Sequence, residues 1–98
     1  MHAVVGIWEM DPGLREAQSE GLRGIVAGVA ELPGVVKGYW SDSSQPDHSH
    51  TFIVFEDRES AESFAADVRR NVENQARAGV RNISLDVVAV RAPPDARP

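Results

Sequence analysis

No cysteine occurs among the 98 residues, which rules out a disulfide framework, a thiolate metal site and a cysteine nucleophile, and is compatible with a reducing compartment. No apolar run approaches the ~20 residues that a membrane-spanning helix needs. The opening MHAVVGIWEM has no basic stretch and meets Glu9 before the apolar part of a leader could form. A cytoplasmic protein without membrane contact is therefore expected. Basic residues are also scarce: 10 Lys and Arg against 15 Asp and Glu leave a formal charge of −5. The attraction to phosphate that supplies most non-specific nucleic-acid binding is missing overall, so no nucleic-acid partner is expected. There is no glycine-rich phosphate loop, no G-x-S-x-G elbow and no H-E-x-x-H pair, so nucleotide hydrolysis, serine hydrolysis and zincin chemistry have no local support.

What is present is a globular composition, 42% hydrophobic and 26% charged, too apolar for a disordered chain. One domain over residues 1–92 is expected, with a proline-rich, flexible tail at 93–98. Ala3 to Met10 is a short run rich in Val, Ile and Trp that stops at Asp11-Pro12-Gly13, which suits a strand. Asp11 is a good helix cap and Pro12 a good first helical residue. Leu14, Leu22, Ile25, Val29 and Leu32 recur at helical spacing until Pro33, so the first helix is expected to end near Glu31. VVKGYWSD (35–42) and TFIVFE (51–56) read as two strands joined by the polar turn SSQPDHS. Asp57 caps a second helix whose inward stripe is Ala61, Phe64, Ala65, Val68, Val72 and Ala76, with Gly79 placed to end it. NISLDVVAVR (82–91) is the fourth strand.

The order βαββαβ is the ferredoxin-like, α+β arrangement: a four-stranded antiparallel sheet with both helices on one face. Successive strand residues point to opposite faces. Phe52 and Val54 therefore oppose Ile53 and Phe55, Trp8 opposes Ile7, and Trp40 opposes Tyr39. Two helices cover one face only, and the apolar patch left on the other predicts a homodimer in which two sheets pack face to face as an α+β barrel.

His48 and His50, if extended, would share a face and could ligate a metal with Asp42 or Asp47. Set against this is a solvated hairpin turn, with His50 as a group at a cleft mouth, and no metal is assigned. Trp8, Tyr39, Trp40, Phe52 and Phe64 could line an aromatic pocket or simply pack. Asn71 and Gln75 flank the stripe of the second helix, where they either reach the cleft or lie on the surface. Ala17, Gly21, Gly24 and Gly28 form a small-residue strip on the first helix, readable as close packing or as room for a ligand. Paired carboxylates in EDRE (56–59) are explained by the helix start: Asp57 as cap and Glu59 in its positive first turn. Trp8, Trp40, His50, Phe64 and Asn71 are the ligand-binding candidates, and no catalytic residue is assigned.

ELPGVVKGYW followed by HTFIVFEDRESAESFAADV resembles the antibiotic biosynthesis monooxygenase-like group of the dimeric α+β barrel superfamily. In that group PG-x-x-x-G leads into the second strand and D-x-E-x-A-x-x-F opens the second helix. The resemblance runs over roughly residues 3–91, and its motifs are a turn, a cap and a helix face. It implies a small homodimer with a helix–sheet cleft in each subunit, some members oxygenating aromatic polyketides without metal or flavin and others degrading haem. Haem degraders resemble one another in an Asn on the first strand, a Trp, and a His ligand on the second helix. This chain has no Asn before Asn71 and no His between Arg58 and Gly79. The expectation is a cofactor-independent monooxygenase-like protein binding a small aromatic or quinone-like molecule; a non-catalytic ligand-binding or assembly module of the same fold is the alternative.

Overall fold

The computed structural model describes residues 1–91; the tail expected at 93–98 lies outside the described residues. Strand β1 (His2–Met10) leads through a 3-10 turn (Pro12–Leu14) into helix α1 (Arg15–Ala30). Strands β2 (Val35–Asp42) and β3 (His48–Phe55) form a hairpin, followed by α2 (Arg58–Arg70), the short α3 (Val72–Arg77) and β4 (Val80–Ala89). All pairings are antiparallel and the strand order is β2-β3-β1-β4. This is the ferredoxin-like sheet expected from the element order, with the two most apolar strands, β1 and β3, in the centre. No helix among the described residues is long and apolar enough to cross a membrane.

The local rules are visible at the element ends. Asp11 accepts from Gly13 N at 2.9 Å and caps the 3-10 turn rather than α1 itself. Asp57 Oδ1 accepts from Ser60 N at 2.7 Å at the start of α2. That bond, with a second from the Ser60 side chain, holds the Asp57 carboxyl below its ordinary range. Gly79 ends the helical segment at φ 70°. A Cβ there would stand 2.7 Å from Leu14 Cδ1 and 2.8 Å from Asp11 Cβ, so only glycine lets this corner close on the first turn.

The core lies between the sheet and the helices: Val4, Ile53 and Phe55 from the strands, Val29 from α1, Ala61 and Ala65 from α2. The two alanines are fully buried, and their small side chains let α2 lie close on β1. Phe64 stacks at a tilt on Phe55 with ring centroids 5.5 Å apart.

Three expectations are corrected. Strand β3 begins at His48, because Glu9 pairs His48 across β1 and Asp42 pairs Ser49 across β2. The histidines are thus strand residues, and the turn is confined to residues 43–47, with Asp47 at φ 62°. The second helix breaks at Asn71, so the stripe does not continue: Val72 and Ala76 on α3 are exposed. Finally, α1 does not pack along its length. Val29 is buried, yet Leu22 and Val26, seven and three residues earlier on the same side, are exposed, and Ile25 is 55% exposed. A Cβ at Gly21, Gly24 or Gly28 would meet nothing within 4 Å, so the small-residue strip is not a packing seam within the chain.

Candidate functional site

Helix α1 is tied at both ends and open in the middle. At its start Gln18 Nε2 donates to Asp11 O at 3.1 Å and to Ala78 O at 2.9 Å; at its end Val29 enters the core. Between these anchors the helix side of the sheet is lined by the even residues of β1 and their cross-strand partners. Gly6, Thr51 and Trp40 make one row, and Val4, Ile53 and Gly38 the next. Trp8 belongs to this face and folds back over Gly6, donating from Nε1 to Thr51 Oγ1 at 3.1 Å. Trp40 folds back over Gly38 in the same way. Both indoles are half-buried.

A cavity of about 790 Å³ opens beside this floor, at the end of the sheet where α2 and α3 pass over it. Its walls include Met10 and Val80 from the sheet and Val68 and Val72 from the helices. Met10 follows Trp8 by two residues on the same face, and the cavity-lining Asn82 is Trp8's partner across β4. The size is that of a pocket for a drug-sized ligand.

The polar residues in these walls are mostly charged, Glu9, Asp11, Asp47, Arg69 and Arg81, together with His48 and two amides, Gln75 and Asn82. Asn82 Nδ2 donates to Ile7 O at 3.1 Å and to Ser84 O at 2.9 Å. Gln75 Nε2 donates to Val68 O at 2.9 Å, bridging the break between α2 and α3. Each amide is thereby oriented, with its side-chain oxygen available to accept a ligand O–H or N–H. Charged groups gather at the rim, where Arg81 grips Glu9 Oε1 at 3.0 and 3.2 Å and Arg69 donates to Leu85 O at 3.2 Å.

The five candidates do not form one cluster. Trp8 and Trp40 come together on the helix side with Thr51 between them. Phe64 sits nearer the other end, against Phe55 and beside a smaller recess over the start of α2. Asn71 is the exposed junction of α2 and α3, where its Oδ1 accepts from Asn74 Nδ2 at 2.7 Å. His50 pairs with Ile7 and Ser41 and falls on the helix-free face, exposed. His48 lies on the same face, with Nδ1 2.9 Å from Pro46 O. Among the described residues no three metal-ligating side chains converge. Thr51, Met10 and Asn82 were not singled out from the sequence. Thr51 was legible as the residue opposite Trp40 in the hairpin, whereas Asn82 is placed by a bulge between Ile7 and Trp8 in the pairing with β4 that no local pattern announces.

The geometry defines a class: a ferredoxin-like α+β domain with a cavity between the end of the sheet and the α2–α3 segment. No protein-family model matches the sequence, and no curated protein matches it significantly. Solved structures do match in fold. A protein from Deinococcus radiodurans described as a candidate antibiotic biosynthesis monooxygenase superposes with a TM-score of 0.72 at 16% identity, over 99% of this chain and 97% of that one. A mutant form of SnoaB from Streptomyces nogalater, a cofactor-independent oxygenase, gives 0.71 at 18% identity, over 97% of each chain. The haem degrader MhuD from Mycobacterium tuberculosis, with two haems in its active site, gives 0.68 at 13%, over 92% and 95%. The fold is therefore that of the antibiotic biosynthesis monooxygenase-like proteins.

Proposed function

We propose that this chain is a cofactor-independent, monooxygenase-like protein that binds a small aromatic or quinone-like molecule in a cleft between its helices and the sheet. The observation that carries the reading is a cavity of about 790 Å³ with apolar walls from Met10, Val80, Val68 and Val72, two residues along β1 from the half-buried Trp8. A flat, electron-rich ring finds there both apolar area and amide oxygens for its hydroxyl protons. The reaction in view converts an activated ring methylene to a carbonyl. One atom of O₂ enters the carbon, the other leaves with the two hydrogens as water, and no external reductant is required. The residues contribute binding and orientation: Met10 and Val80 on the sheet side, Val68 and Val72 on the helix side, and Asn82 and Gln75 accepting from phenolic O–H groups.

Haem does not fit the same cleft. Neither α2 nor α3 carries a histidine. His48 lies on the hairpin side of the cavity with Nδ1 2.9 Å from Pro46 O, His50 is not among the lining residues, and His2 sits at the opposite end of the sheet.

The second part of the proposal is a homodimer through the helix-free face. Val5, Phe52 and Tyr39 form a continuous apolar row there, with Ile7 and Val88 beside it, while Val54 on the same face is already buried in the single chain. A cytoplasmic location belongs to this reading, and the absence of cysteine is compatible with it. Oxygen uptake with a panel of anthrones and hydroquinones tests the activity. Turnover above the uncatalysed rate is expected; binding without turnover across the panel would leave the ligand-binding module in its place.

A further inference from the structure

We infer that His48 is the proton acceptor of the cavity at the end of the sheet: its ring Nε2 takes the proton of a ligand hydroxyl, so that a phenol is held there as its anion beside an imidazolium. This rests on the reading above that the cavity takes a phenolic ring. Strand alternation alone puts His48 on the helix-free side. It is, however, the first residue of β3, where the chain leaves the hairpin turn, and with Pro46 and Asp47 it forms one wall of the cavity of about 790 Å³. It is half-buried there, and neither His2 nor His50 joins it.

The turn fixes the tautomer. His48 Nδ1 stands 2.9 Å from Pro46 O. A carbonyl oxygen can only accept, so Nδ1 carries the hydrogen of the neutral ring and Nε2 keeps the lone pair. The backbone of the residue is engaged as well: His48 N donates to Gln45 O at 3.4 Å, and His48 O accepts from Ser43 N at 3.0 Å. Asp47 O accepts from Met10 N at 2.7 Å, which fastens the turn to β1. Among the described residues Nε2 is thus the one polar atom of His48 without a partner. An imidazole whose orientation and tautomer are set before a ligand arrives is suited to act as a general base.

The surrounding charges favour the product of the transfer. Glu9, Asp11 and Asp47 line the same cavity, against Arg69 and Arg81. Both arginines are engaged, Arg81 with Glu9 Oε1 and Arg69 with Leu85 O. Glu9 is also the partner of His48 across the β1–β3 pairing. Carboxylates in excess around an imidazole favour its charged form, and they would repel a phenolate whose proton had gone to bulk water. In the transfer the ligand O–H bond breaks, an Nε2–H bond forms, and the electron pair stays on the ligand oxygen, leaving the electron-rich anion on which reaction with O₂ draws.

The probes are 4-nitrophenol, of which the anion alone is yellow, and 4-nitroanisole, the same ring with methyl in place of the hydroxyl proton, both measured by equilibrium dialysis at neutral pH. Wild-type protein is expected to bind 4-nitrophenol about tenfold or more tighter than 4-nitroanisole, and to hold a larger share of it as the anion than free solution does. The preference should fade in acid, where Nε2 takes a proton from water instead. In His48→Asn the side-chain amide can donate to Pro46 O as Nδ1 does, but it supplies no base. Its affinity for 4-nitroanisole should stay within about threefold of wild type, while the preference and the colour are lost. A folded His48→Asn protein with unchanged preference and colour overturns the proposal and leaves the aromatic-binding reading standing, as does equal binding of the two probes by wild type. Wild-type protein that binds neither probe overturns both. Where the variant does not fold, nitrogen NMR of the wild-type His48 ring decides: a free protein with its proton on Nε2, or an Nε2 signal unmoved by 4-nitrophenol, overturns the proposal.

Discussion

Phe52→Asp is expected to convert the protein from dimer to monomer without unfolding it. Phe52 lies mid-row on the helix-free face, between Val5 and Tyr39. In the single chain Tyr39 is 53% exposed, Phe52 38% and Val88 36%. Burying a large apolar side chain completely is worth about 1.5–3 kcal/mol, so covering these three fractions recovers roughly 2–4 kcal/mol per subunit and about twice that per pair. Ile7 and Val5, half-buried, add to this. A twofold contact presents each substitution twice. Phe52→Asp thus removes two central anchors and requires two carboxylates to desolvate, a loss of at least about 3 kcal/mol or over a hundredfold in dimer dissociation constant. Sedimentation equilibrium at low micromolar concentration reads the mass directly, and far-ultraviolet circular dichroism confirms that the mutant chain stays folded. A wild-type protein that sediments as a monomer refutes the reasoning, as does a Phe52→Asp protein that remains a dimer.

Other expectations follow from single features. Asp57→Ala should lower Tm by a few degrees at neutral pH. Because the Asp57 carboxyl is held below its ordinary range, its stabilisation is fully present above the unfolded-state pKa and is lost as pH falls through the lower folded one, so the gap between wild-type and mutant melts should close in acid. Gly24→Ala, in mid-helix with nothing within 4 Å of the new methyl, should raise stability by up to about 1 kcal/mol in urea titrations. Gly79→Val, at φ 70° and against Leu14 and Asp11, should do the reverse by about 1–3 kcal/mol. Backbone amides between Gly21 and Gly28 should exchange hydrogen faster than those around Ala61 and Ala65; equal protection of the two helices would contradict an α1 anchored only at its ends.

The sheet was legible because period-two patterning, caps and turn residues act over a few residues and agree with one another. β2 spans Val35–Asp42, as the pattern predicts, and Asp57 and Gly79 act where their chemistry places them. The site was less legible because it depends on which faces meet. His50 looked suited to a cleft mouth, but it shares its face with Phe52 and Val54, and in a strand one residue of phase decides the side. The apolar stripe of α2 was extended through Val72 and Ala76 because periodicity is blind to a break whose cause is local. Asn71 ends the helix with its own N–H on Val68 O, and Gln75 ties the two segments.

The glycines on α1 and those beneath the tryptophans look alike in the sequence and have opposite settings. Gly6 and Gly38 each hold space already filled by an indole, so their value is steric and a methyl group is expelled or expels something. Gly21, Gly24 and Gly28 hold open space, at a cost of roughly 1 kcal/mol each relative to alanine. A helix that carries this cost while leaving Ile25 and Leu22 exposed has gained nothing from close packing inside its own chain. That cost is recovered only where the apolar side of α1 is covered by something outside its own chain.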